Sequence, residues 1–110
     1  MQINGKELRI VTTVGFREAV SMMEAQLYIS IVNVVLKDYP VDMLIFEYKD
    51  GIQTVRSGGY LFNDPKKLDE TTILYSAKSL PTKTFWLKIE YYDYYHEKYY
   101  LGTFLLPEEY

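Results

Sequence analysis

The chain has 110 residues, 48% of them hydrophobic and 25% charged, the size and balance of a single domain over 1–110 that buries roughly two-thirds of its unfolded surface. A net charge of −3 and twelve scattered Lys and Arg, with Lys66-Lys67 the longest basic run, argue against the phosphate-neutralising surface that nucleic-acid binding needs, so no nucleic-acid partner is expected. The lack of cysteine removes disulfides, thiolate nucleophiles and Cys-based metal sites.

In chain order, Asn4-Gly5 is a strong signal for a tight hairpin turn, because both residues tolerate positive φ. The strand that follows keeps Leu8, Ile10, Thr12 and Val14 on one parity and ends at Gly15. The next segment reads two ways. Phe16, Val20, Met23 and Leu27 recur at helical spacing among good helix formers, which predicts at most one short helix near residues 16–25. The β-branched run Ile29, Ile31, Val32, Val34 and Val35 suits a pleated surface, so a buried strand is expected from Gln26 to Leu36.

Pro40 ends that strand. Val41 to Tyr48 alternates as another, Asp50-Gly51 is a second hairpin signature, and Ile52 to Ser57 returns. Gly58-Gly59 marks a bulge or bend before Tyr60-Leu61-Phe62, residues 63–67 form a polar turn, and Thr71 to Ala77 is a further strand.

Phe85 to Pro107 is the spine of the chain: two aromatic strands about a short turn, with six of the twelve tyrosines, the one Trp and the one His. Phe85, Leu87, Ile89 and Tyr91 form an oily face, and Trp86, Lys88, Glu90 and Tyr92 a mixed one. On the return strand both parities are apolar enough to be covered.

Seven or eight short strands with at most one short helix predict an all-β fold. The expected form is an antiparallel, immunoglobulin-like sandwich of two sheets, with a small β-barrel as the alternative. A parallel layout needs helical crossovers, and there is one candidate.

Little chemistry is on offer. His96 lies in a turn with no nucleophile elbow or triad pattern, and one His without Cys cannot fill a zinc site. Asp38, Asp42 and Asp93 are the set with a case for calcium, and Glu90, Asp93 and Glu97 lie close in sequence as paired carboxylates would; turn acids of this kind are ordinarily capping or solvated. The expectation is a protein that is not an enzyme, with no cofactor and no metal.

The tyrosine load points instead to recognition, since Tyr offers a large rigid contact area with a polar tip. The candidate binding residues are Trp86, Tyr92, Tyr94, Tyr95, His96 and Tyr100. They support an interaction or assembly module that docks another protein chain or its own copy through an aromatic sheet face or hairpin turn. The alternative is a small-ligand or carbohydrate-binding module in which Trp86 and the turn tyrosines stack on sugar rings. The first ten residues lack a secretory pattern and no run approaches the ~18 apolar residues of a membrane span, so a soluble cytoplasmic protein is expected. Three Asn and three Gln in the whole chain lean toward a heat-adapted source.

Overall fold

In the computed structural model, which describes residues 2–3, 5–62 and 69–110, the chain is mostly β, a curled, mixed sheet with helices. The elements are β1 (Gln2–Ile3), β2 (Lys6–Thr12), α1 (Val14–Ala19), α2 (Met22–Asp38), β3 (Met43–Lys49), β4 (Ile52–Ser57), β5 (Ile73–Lys78), β6 (Phe85–Tyr94) and β7 (Glu97–Leu105), closed by a 3-10 turn at Pro107–Glu109. The strands form one sheet in the order β1-β2-β7-β6-β3-β4-β5. No helix among the described residues is long and apolar enough to cross a membrane.

Two expectations need correcting. The strands make one sheet where an immunoglobulin-like sandwich has two, and its ends, β1 and β5, leave it unclosed where a barrel would join them. It is also not wholly antiparallel, because β2 runs parallel to β7, with Leu8 opposite Tyr100 and Thr12 opposite Phe104. The single crossover that the sequence allows, α1 with α2, carries the chain from β2 to β3, and the β6–β7 hairpin fills the space between those strands. The polar turn expected over residues 63–67 lies outside the described residues.

The larger correction is α2, a helix of 17 residues where a strand was expected from Gln26. Its β-branched residues cost a few tenths of a kcal/mol each in helix propensity. A strand, however, would put Gln26 and Ser30 on one face and Asn33 and Lys37 on the other, wetting both. The helix gathers these four on one side and buries Tyr28, Ile31, Val32, Val35 and Leu36 on the other, and each large side chain so buried is worth about 1.5–3 kcal/mol. Burial outweighs propensity. The Ser21 hydroxyl caps the start, accepting from the Glu24 amide at 3.2 Å and donating to the Glu24 carboxylate at 3.1 Å.

The sheet face under α2 carries Leu44, Phe46, Val55, Phe85, Leu87, Ile89, Tyr100 and Phe104, all buried. Phe85 is central: its ring lies 4.6 Å from Phe46, 4.7 Å from Tyr28, 5.2 Å from Phe16 and 5.7 Å from Phe104. Strands β3, β6 and β7 and both helices therefore share one aromatic knot. Phe85→Ala is expected to lower unfolding free energy by about 3–5 kcal/mol, read by denaturant titration, because it opens a cavity where the elements converge.

The C-terminal end is clasped to α1. The Glu109 carboxylate accepts from the Thr13 hydroxyl at 2.6 Å, the Leu106 amide at 2.9 Å and the Gly15 amide at 3.2 Å. Thr13 in turn caps α1 by accepting from the Phe16 amide at 3.2 Å. A side chain at position 15 would press on that carboxylate, since a Cβ there would sit 2.7 Å from it, which is why glycine fits. The Thr13 hydroxyl first, and then the Leu106 amide, holds the Glu109 carboxyl below its ordinary range. A depressed carboxylate contributes stability at pH values above its unfolded pKa and loses it as pH falls through the folded one. Glu109→Gln is expected to melt earlier than wild type at neutral pH, the gap narrowing as pH falls below about 4.3, the ordinary glutamate value.

Candidate interaction site

The β6–β7 hairpin outgrows its neighbours. β3 pairs with β6 only from Phe85 to Lys88, and the last tie on that side is the Ile89 amide donating to the Asp42 carbonyl at 2.8 Å. On the other side β2 leaves β7 at Tyr100. Among the described residues no third strand joins 91–99, which continue as a two-stranded arm, and every residue from 90 to 98 is exposed.

The pleat sorts the tyrosines. Tyr91 and Tyr100 form an edge-to-face pair on the helix side at 5.0 Å, with Lys6 over the Tyr91 ring. Tyr92 and Tyr99 stack at 5.6 Å on the open side, where the Arg9 guanidinium lies 3.9 Å from the Tyr99 centroid. At the tip Tyr94 and Tyr95 meet edge-to-face at 4.4 Å, and they are 66% and 83% exposed. Such cross-strand pairs stiffen an otherwise marginal ribbon. Arg9 adds a brace by pairing with Glu7 at 3.2 Å and Glu97 at 3.8 Å, and the hydrogen bond to Glu7, more than any other contact, raises its pKa.

The tip is a two-residue loop, Tyr95-His96, between β6 and β7. Tyr95 has φ +54°, a left-handed conformation that suits glycine and costs other residues roughly 1–2 kcal/mol. At the β3–β4 turn the same demand is met by Asp50-Gly51, with φ +51° and +82°, as the sequence predicts. A bulky ring kept where Gly would sit more easily is a local cost at an exposed point of the chain.

The candidate residues do not all come together. Tyr92, Tyr94, Tyr95 and His96 share the arm. Tyr100 is buried at 5% exposure, packed against Phe62 as well as Tyr91, and belongs to the core. Trp86 lies eight positions from Tyr94 along β6, about 26 Å at ~3.3 Å per residue, and carries Tyr110 edge-on at 5.4 Å. Tyr91 and Tyr99 join the arm although they are not among the candidate binding residues; the hairpin register makes them the partners of Tyr100 and Tyr92.

The clustered acids are separated by the pleat. Glu90 and Glu97 fall on the open side, paired with Lys88 at 3.7 Å and with Arg9, while Asp93 faces the other way toward Lys98 at 3.9 Å. Among the described residues no three His, Asp or Glu gather as a metal site. Asp42 accepts from the Tyr60 amide at 2.8 Å, a turn-closing role. The Glu90 charge, and then burial, raises the Tyr92 phenol pKa, so that hydroxyl stays protonated. The arm therefore presents tyrosine rings within a mosaic of paired charges. No protein-family model, curated protein or solved structure matches the chain.

Arg9 braces the arm from outside its own hairpin. Arg9→Ala is expected to speed amide hydrogen exchange at residues 97–99 while leaving Phe85 and Leu87 protected; equal exchange across the arm in both proteins would deny Arg9 that role.

Proposed function

We propose that this chain is a non-catalytic interaction module that docks a partner protein through its tyrosine arm. The observation that carries this reading is the strained and exposed tip, Tyr94-Tyr95, on a ribbon that leaves the sheet. Backbone strain kept at an exposed position is characteristic of binding segments, where the surrounding structure holds a residue for contact rather than for stability. Tyrosine suits that use because two side-chain torsions fix a large area of ring. The stacked and edge-to-face pairs behind the tip order these rings in advance, which lowers the entropy that docking must offset.

A second reading is stacking on a sugar ring, favoured by the exposed rings of Tyr94 and Tyr95. Trp86, at the far end of β6, takes no part in it.

The two readings separate by experiment. In affinity capture from an extract of the source cells, the wild-type chain is expected to retain a specific protein that Tyr94→Ala and Tyr95→Gly both release. Tyr95→Gly should melt no earlier than wild type, since relief of roughly 1–2 kcal/mol of strain offsets the entropy that glycine adds to the unfolded chain. A captured protein held equally by both variants sinks the arm as the docking site. Quenching of tyrosine emission by a glycan, abolished in Tyr94→Ala, establishes the sugar reading in its place.

A further inference from the structure

The two edges of the sheet are unlike. β1 is two residues long, a short edge of the kind that resists pairing, whereas β5 offers six residues, Ile73–Lys78, with no proline and one charge, at its end. Its one irregularity is a bulge opposite Val55/Arg56. Among the described residues only β4 pairs with it. The Ser79 amide donates to the Gly51 carbonyl at 3.0 Å, and antiparallel ladders alternate, so Ala77 and Tyr75 also turn their amides to β4. Leu74, Ser76 and Lys78 turn theirs outward.

This open edge runs beside an uncovered stripe of α2. Met23, Leu27 and Val34 lie on one flank of the helix and are 83%, 57% and 57% exposed. A groove of about 370 Å³ lies between α2 and the end of β5, lined by Leu27, Tyr28, Lys78, Leu80 and Pro81. Leu80, 85% exposed, continues the apolar surface from the helix to the strand end.

We propose that two copies of this chain associate through the outer edge of β5, antiparallel, with their α2 stripes in contact on the same face of a continuous sheet. Charge complementarity selects the occupant. The segment begins with Asp69 and Glu70 and ends with Lys78 and Lys83. An antiparallel second copy sets each acidic end against a basic one, where a parallel copy would set like against like. Asp69 is fully ionised for this purpose: the Thr71 amide, at 2.9 Å, and the Thr71 hydroxyl, at 2.8 Å, hold its pKa below the ordinary range. Six residues of ladder give register but little area, and the stripe supplies the apolar contact that a stable pair buries. This surface is separate from the tyrosine arm, so the association stands or falls without it.

The test is the mass of the full chain in solution. At micromolar concentration, light scattering is expected to report a dimer. Ser76→Pro, which removes an outward amide and leaves the β4 ladder intact, should give a monomer with unchanged circular dichroism. Leu27→Glu, at an exposed helix position, should do the same and decides the matter if the proline variant does not fold. Lys78→Glu should weaken the dimer about tenfold or more, the equivalent of ~1.4 kcal/mol. A wild-type chain that stays monomeric, or a dimer indifferent to both Ser76→Pro and Leu27→Glu, overturns the proposal.

Discussion

The apolar stripe of α2 must be covered, and the sheet exists as a surface that covers it. Tyr28, Ile31, Val32, Val35 and Leu36 lie on one side of the helix, and a lone helix of this length is marginal in water. Phe85 and Phe46 stack beneath it at 4.6 Å while Tyr28 closes over Phe85, so neither the helix nor the central strands complete their burial without the other. This dependence fixes which side chains of each strand point inward. In consequence the opposite face of the sheet is left with Trp86, Ile45 and Leu101 among charged pairs such as Arg56 with Glu47.

From that constraint the arm follows. β6 and β7 are ten and nine residues long, but α2 and the flanking strands cover only the portion nearest Phe85. The remainder projects. Its inward parity, which would carry core residues if the sheet continued beneath a helix, ends in Tyr91 and Asp93, and its outward parity in Tyr92 and Tyr94. Aromatic pairing across the ribbon takes over from core burial at Tyr100, which serves both: it packs on Phe62 inside and on Tyr91 at the base of the arm. Arm and core are therefore continuous.

Much of this was legible locally. Period-2 alternation marks Phe85, Leu87 and Ile89 as the buried side of β6, and Asp50-Gly51 marks the β3–β4 turn, because both depend on neighbours in sequence. The β-branched run misled, since propensity weighs residues singly and the helix was decided by how Gln26, Ser30, Asn33 and Lys37 segregate. The Ser21–Glu24 cap pattern is a local signal for that helix. What joins distant residues was not legible. The parallel pairing of Leu8 with Tyr100 and the clasp of Glu109 on Thr13 link opposite ends of the chain, and no periodicity encodes which strand lies beside which. For the arm, the residue types were readable but their exposure was not: Tyr100 and Tyr94 look alike in sequence, and only the place where β2 stops separates them.

The two surfaces constrain one another through symmetry. A pair joined at β5 with both helices on one face has its two-fold axis perpendicular to the sheet, which reverses every strand of one copy relative to the other. Between one arm and its mate then lie β3, β4 and β5 of each copy, about 34 Å at ~4.8 Å per strand spacing. The reversal also sends the arms out of opposite ends of the sheet. Such a pair cannot close both arms on one small partner, so avidity from simultaneous engagement requires a partner that is itself repeated or extended. Under the proposed pairing and docking, the chain would bridge, with the tip of each arm making the contact and the ladder at β5 setting the distance between contacts.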